Sequence, residues 1–273
     1  MSATLEFTIL GSGSSGGVPR ADGNWGDCDP AEPKNHRSRC SLLVRRLGKG
    51  GRTHQTTVII DTAPDLRLQT VAASVRRVDA ALFTHDHADQ AHGIDDLRPF
   101  FLNQRVRIPT YMDQATHDGL LRRFEYVFQS QGGYPAICEP RLLPPLGHDF
   151  EIPGPSGDIS VHTFDVDHGE VRAVGYRIGD VAYTPDARAI PEGSWADLAD
   201  LDVWIVDALR WTPHPTHAHV ELALEWIARA KPKRAILTNL HIDLDYNALA
   251  ARLPAGVEPG YDGMRFQLRA PAT

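Results

Sequence analysis

A chain of 273 residues with 42% hydrophobic and 23% charged side chains has the make-up of an ordinary soluble globular protein, long enough for a substantial core. Its net charge of −7 argues against a broad basic face for gripping nucleic acid, while leaving room for a local basic patch that receives a phosphorylated substrate. Cys28, Cys40 and Cys138 are too few and too irregularly spaced for a disulfide framework, no leader of basic then apolar residues is visible, and no apolar run reaches the roughly 18 residues of a membrane span, so a cytoplasmic protein is expected.

Read from the N-terminus, β-type runs recur at Leu5 to Leu10, Ser41 to Arg45, Thr57 to Ile60, Ala80 to Thr84 and Ile108 to Met112. The second half adds Ile159 to Phe164, Ala173 to Ile178, Val181 to Thr184, Val203 to Val206, Ala235 to Thr238 and Arg265 to Leu268. Helical periodicity marks Asp65 to Ala73, Gln114 to Phe124, Val220 to Ala230 and Tyr246 to Arg252. Strands outnumber helices and often follow one another directly, which predicts two packed sheets with helices outside rather than a doubly wound parallel sheet. Two loops, residues 11–39 and 132–157, are rich in Gly and Pro. The second reads as a crossover inside one domain spanning 1–273, because neither half holds all the candidate ligands.

The densest chemistry follows the apolar run Val78 to Phe83, in the stretch Thr84 to Gln90 (THDHADQ). A strand end opening into a loop can aim His85 and His87 at one point while Asp89 folds back towards it. Neutral imidazoles and a carboxylate suit zinc, manganese or iron better than calcium or magnesium. Further polar residues sit at strand ends: His168 with Asp167, then Asp186, Asp207, Asn239 and His241. These are enough ligands for a two-metal centre, in which Asp186 is the natural bridge.

A second histidine cluster, His214, His217 and His219, precedes the helix Val220 to Ala230, with Glu221 in its first turn. Histidine is the usual proton donor near pH 7; a plain helix cap is the blander role for His217 or His219. Arg37, Arg39, Arg45, Arg46, Lys49 and Arg52 read as a solvated hairpin. Arg20 and Arg98 are the better phosphate ligands, since a guanidinium can grip phosphate oxygens with two hydrogen bonds.

With these residues the sequence resembles the metallo-β-lactamase superfamily of hydrolases, and within it the branch containing the phosphoribosyl cyclic phosphodiesterase of phosphonate breakdown. The likeness spans nearly the whole chain. It includes the loop Gly11 to Pro19 (GSGSSGGVP), Trp25 with Gly26, Asp61, Gly93 to Arg98 (GIDDLR) and Gly260 to Met264 (GYDGM). It implies an α/β fold, an αββα sandwich of two mixed sheets flanked by helices. It assigns His85, His87 and His168 to one metal, Asp89 and His241 to a second, and Asp186 between them. Asp61 would orient the histidine loop by hydrogen bonding, and His217, with His219 as its polar partner, would be catalytic.

Two departures matter. Gln90 stands where the family has a further histidine, and an amide is a poorer zinc ligand; His92, two residues on, is another imidazole at hand. Asn239 stands where the late histidine ligand is usual, so His241 is favoured in its place. Cys28, His36 and Cys40 match no standard structural zinc site, and an ordered loop without metal is expected there.

The function implied is a metal-dependent phosphodiesterase with one or two divalent ions, zinc or manganese. Its substrate would be a small cyclic or nucleotide-like phosphodiester. A hydroxide generated at the metal and positioned by Asp89 and Asp186 would attack phosphorus, and His217 would protonate the leaving oxygen. A small phosphorylated substrate is the expected partner, with no stable nucleic-acid complex and no membrane, and a homodimer stays open. Two other functions stay open: an RNA 3′-end processing endonuclease, against which the negative charge stands, and a non-catalytic metal- or nucleotide-binding module with a degenerate second metal site, for which Gln90 speaks.

Overall fold

The computed structural model describes residues 3–48 and 50–270; Lys49 and the side chain of Arg52, two members of the basic run, lie outside the described residues. The strands in chain order are β1 (Thr4–Gly11), β2 (Ser41–Gly48), β3 (Gly51–Ile60), β4 (Ala80–Leu82), β5 (Ile108–Met112), β6 (Cys138–Leu142), β7 (Asp149–Ile152), β8 (Ile159–His168), β9 (Val171–Ile178), β10 (Val181–Thr184), β11 (Val203–Asp207), β12 (Arg234–Thr238), β13 (Val257–Pro259) and β14 (Arg265–Arg269). The α-helices are α1 (Leu66–Ala72), α2 (Ala88–Ala91), α3 (Arg98–Gln104), α4 (Gln114–Phe128), α5 (Val220–Ala230) and α6 (Tyr246–Ala250).

Two seven-stranded sheets form, ordered β14-β1-β2-β3-β4-β5-β6 and β13-β12-β11-β10-β9-β8-β7. Each changes from antiparallel to parallel pairing at one place: β3 pairs with β4 in the first, and β10 with β11 in the second. The two sheets therefore carry the same pattern, and the last strand, β14, returns to complete the first sheet beside β1.

The side-chain alternation along each strand builds four layers. Leu42, Val44, Val58, Ile60, Val203 and Ile205 meet between the sheets. Leu43 and Ile59 face the opposite way, towards the shell that includes Leu66, Phe100 and Leu120 of α1, α3 and α4. Trp204 and Val206 likewise face Ala223 and Trp226 of α5 and Leu249 of α6. Strands covered on both faces read as unbroken apolar runs, which is why they were visible in the sequence. The αββα sandwich is thus the observed fold.

Local chemistry fixes the helices that matter to the site. Asp113 caps α4 by accepting from Thr116 N–H at 2.8 Å. Gly93 follows the histidine loop and donates its N–H to Thr62 O at 2.8 Å. A Cβ there would lie 2.0 Å from Ala63 O, so only glycine lets this loop close down on the end of β3. The basic run is not a solvated hairpin throughout: Arg37 and Arg45 are buried, Arg45 pairs with Glu6 at 3.3 Å, and Arg39 pairs with Asp65 at 2.7 Å. No helix among the described residues is long and apolar enough to cross a membrane.

Candidate metal centre

The site forms where the parallel strands of both sheets run out, the usual place for ligands in open sheets. Asp61 follows β3 and Asn239 follows β12, with φ of 63° and 62°. Asp and Asn are among the few residues that enter this left-handed region readily, and here it turns each side chain back towards the sheet edge. The Asp61 carboxylate accepts from Thr84 N–H at 2.8 Å and from the Thr84 hydroxyl at 2.9–3.0 Å. With its proton given to Asp61, Thr84 Oγ1 accepts from His85 Nδ1 at 3.0 Å. The lone pair of His85 therefore rests on Nε2, which is buried without a hydrogen-bond partner.

His87 and His168 converge on that atom. The ring centroids of His85, His87 and His168 are 4.6–5.2 Å apart, and His168 Nε2 lies 3.3 Å from His87 Nδ1. His168 donates its Nδ1 proton to Thr216 O at 2.8 Å, which again leaves Nε2 as the donor atom. Burial pushes the His85 pKa well down, and burial with the facing His217 lowers His168 to about 4, so both rings are neutral at neutral pH. Three imidazoles that converge around the buried, unpartnered Nε2 of His85 fit one divalent cation.

The other side of the centre is acidic. Asp186 and Asp207 are buried there, and burial raises the pKa of each, as it does for Asp61 behind His85. Asp207 accepts from Ala187 N–H at 2.9 Å, His217 Nδ1 at 2.9 Å and Asn239 Nδ2 at 3.1 Å. Asp186 lies 3.5 Å from His217 Nδ1. Burial alone would lower the His217 pKa; the hydrogen bond and charge of Asp207, with Asp186 and Asp89, outweigh it and raise it to about 9. With Nδ1 on Asp207, Nε2 is the ring nitrogen left to hold or release a proton.

Beside the histidines lies a cavity of about 350 Å³ lined by Ser14, Ser15, Gly16, Arg20, Asp89, Leu209, Arg210, His214, His217, Asn239 and His241. Arg20 Nη2 is 2.5 Å from His241 Nε2, whose Nδ1 is 2.8 Å from Asp243 Oδ1. A larger cavity, about 690 Å³, sits on the other side of the glycine loop against α1, away from the converging histidines.

The structure thus brings His85, His87, His168, Asp186 and His217 together, puts Asp61 behind His85, and lines the cavity with Asp89 and Arg20. Several expectations fall elsewhere. His241 is not among the converging ligand atoms, because both its ring nitrogens are engaged by Arg20 and Asp243; the late strand-end residue facing Asp186 is Asn239. Arg98 pairs with Asp95 at 2.7 Å at the start of α3 and does not line the cavity. His219 is the residue preceding α5, also outside the cavity lining. His92 turns to Arg123 and Phe124 rather than replacing Gln90. Gln90 gives its amide to Asp186 at 2.7 Å. Cys28 contacts Ile242 O, Cys40 contacts Gly13 O, and His36 packs on Trp25, so these three point apart. Asp207 stood out in the sequence only as a strand-end carboxylate and Asn239 only as the rival of His241 for the late ligand, while Arg210 carried no signal.

A family model described as the Beta-lactamase superfamily domain matches residues 56–242. An octanoyltransferase of Porphyromonas gingivalis (strain ATCC BAA-308 / W83) is 29% identical over 268 residues, which cover 95% of this chain and 51% of that protein. The chain therefore spans about half the length of the curated relative it matches. Among solved structures, a diphosphatase of the PhnP family is 32% identical with a TM-score of 0.83, covering 96% of this chain and 97% of that one. The metallo-β-lactamase fold protein YhfI of Bacillus subtilis has a TM-score of 0.72 over 97% of this chain and 99% of that one, at 15% identity, a likeness of fold alone.

Proposed function

The chain belongs to the beta-lactamase superfamily and, within it, to the PhnP family, and from that premise we propose a metal-dependent hydrolase of small nucleotide-like phosphodiesters. One observation supports it above the rest: His217, backed by Asp207, lines the same small polar cavity as Arg20, directly beside the three converging histidines. The similarity to a diphosphatase supports phosphorus as the electrophile.

His85, His87 and His168 would hold the cation, with zinc or manganese the ions that suit them. When bound, such an ion supplies Lewis acidity and makes water acidic enough to attack at neutral pH. The chain's own groups do the rest. The guanidinium of Arg20, steadied by His241, binds phosphoryl oxygens. Asp89, on the cavity wall, accepts a proton from the attacking water. His217 gives its Nε2 proton to the leaving oxygen while Asp207 keeps Nδ1 occupied and the ring oriented. Gly16, without a side chain, lets substrate approach the loop backbone.

A cavity of about 350 Å³ suits a sugar phosphate or single nucleotide rather than a folded RNA, and the chain is acidic overall. A small phosphorylated substrate is accordingly the partner proposed, in the cytoplasm. The test is hydrolysis of bis(p-nitrophenyl) phosphate and a panel of cyclic and linear nucleotide diesters, before and after chelation and reloading. Turnover that survives exhaustive chelation, or His87→Ala, would overturn the proposal.

A further inference from the structure

Asp186 lies where a carboxylate would have to serve two ions if the centre were dinuclear: between His217 and the group of His85, His87 and His168. Each of its two oxygens already accepts a hydrogen bond from an amide. Gln90 Nε2 donates to Oδ2 at 2.7 Å, and Asn239 Nδ2 donates to Oδ1 at 3.2 Å. A flip of either amide would press its oxygen against a carboxylate oxygen, and for Asn239 these contacts outnumber the one from Nδ2 to His217 Nδ1 at 3.1 Å. Asn239 is doubly fixed, because its Nδ2 also reaches Asp207 at 3.1 Å.

The remaining groups leave a second ion few ligands. His168, Asp186 and His217 do offer converging atoms, but His168 Nε2 belongs with His85 and His87, and His217, its Nδ1 held by Asp207, keeps Nε2 for the proton it gives the leaving oxygen. His241 is held by Arg20 and Asp243. Among the described residues, Asp89 is the one further carboxylate on the cavity wall. One carboxylate and one amide-capped carboxylate fall short of the three protein ligands, completed by water, that a catalytic zinc site takes.

We propose that this chain holds a single divalent ion, at His85, His87 and His168, and that the Gln90 and Asn239 amides occupy the second position as donors that anchor Asp186. The proposal rests on the metal-dependent function given above. Hydrogen bonds from two neutral amides stand in for the second cation in holding a buried carboxylate, and they do so without a ligand that chelation can remove. Gln90 and Asn239 are in this sense positioning residues.

The experiment is metal stoichiometry on the full chain. Protein stripped by chelation, reloaded with excess manganese and desalted is expected to hold one ion per chain, with the six-line paramagnetic resonance signal of isolated manganese. Two ions per chain, with an exchange-coupled spectrum, would overturn the inference. Retention of none would instead overturn the metal-dependent function itself, so the two failures are distinguishable. The variant Gln90→His/Asn239→His is expected to take up two ions; histidine tolerates the left-handed backbone at position 239 better than most residues. A folded double variant that still holds one ion would overturn the role given to the amides. If the double variant does not fold, the wild-type count decides.

Discussion

Asp207 Oδ2 holds His217 Nδ1 at 2.9 Å, and the same carboxylate is pinned by the Ala187 N–H and the Asn239 amide. A buried acceptor with three donors cannot rotate freely, so the imidazole it holds presents Nε2 in one direction only. Asp207→Asn would leave position and size intact but offer the ring a different partner, and kcat is expected to fall about 10²- to 10⁴-fold, the usual worth of a positioned acid or base. His217→Ala should cost as much, and the double variant no more, because the two act as one unit. The diagnostic is leaving-group dependence. The loss should be large for an alkyl leaving group and small for p-nitrophenolate, which departs without a proton; equal losses would remove His217 from the role of acid.

The contact between Asp61 and Thr84 makes a separate prediction about metal affinity. Thr84 Oγ1 links the Asp61 carboxylate to His85 Nδ1, and so decides which nitrogen of His85 carries the lone pair. Thr84→Val keeps the shape but removes that link. Affinity for zinc, measured against a competing chelator, should fall about 10- to 100-fold, as for other partners behind metal-binding histidines. Asp61 keeps only the Thr84 N–H, so a loss of stability of about 1–3 kcal/mol should accompany it, read from denaturant unfolding. Unchanged affinity would show that His85 needs no such support.

How far the sequence anticipated all this follows from what each residue touches. The inner strands were legible because both their faces are apolar; Val203, Trp204, Ile205 and Val206 alternate between two cores and leave no polar position. The strands that escaped notice, β6, β7 and β13, are all sheet edges or next to one end of the order, and β6 and β13 carry Pro140 and Pro259. The histidine loop was legible because three candidate ligands, His85, His87 and Asp89, fall within five residues. His241 and Asn239 were not separable by sequence: they are two positions apart, and only the left-handed turn at Asn239 decides that the amide faces Asp186 while the imidazole goes to Arg20. Arg98 looked like a phosphate ligand by type, yet the nearby Asp95 takes its charge within the same turn.

Stability of the metal-free protein should depend on pH in a direction set by His217. Its pKa is raised from 6.5 to about 9 in the folded chain: burial opposes charge there, but Asp207, Asp186 and Asp89 outweigh it. A histidine with a raised folded pKa contributes stability that is fully present below about 6.5 and lost as pH rises through 9. A shift of this size corresponds to an upper limit on the order of 3 kcal/mol. Thermal melts of chelated protein should therefore show Tm falling by several degrees between pH 6.5 and 9, and His217→Gln should flatten that segment. His168, whose pKa is lowered to about 4, chiefly by burial, acts at the other end: its contribution is present above 6.5 and lost as pH falls towards 4. A wild-type Tm constant from pH 6.5 to 9 would contradict the His217–Asp207 pairing.

The chain from Asp243 through His241 to Arg20 separates two roles for one histidine. Asp243 accepts from His241 Nδ1, which leaves Nε2 to accept from the Arg20 guanidinium. If this is what His241 does, His241→Ala should leave metal content at the wild-type value. KM for a phosphodiester should rise, because Arg20 loses the contact that holds it over the cavity. Arg20→Ala should raise KM further, about 10- to 100-fold, the worth of a charge-assisted hydrogen bond of 1.5–3 kcal/mol. Arg20→Lys should recover only part of this, since an ammonium cannot grip two phosphoryl oxygens at once. The pair of measurements is decisive because the two roles move different quantities. A metal ligand removed lowers the ion count and takes kcat with it; a residue that steadies Arg20 changes KM and leaves the count alone. A drop in bound metal in His241→Ala would return His241 to the ligand set, and would put the second ion back beside Asp186.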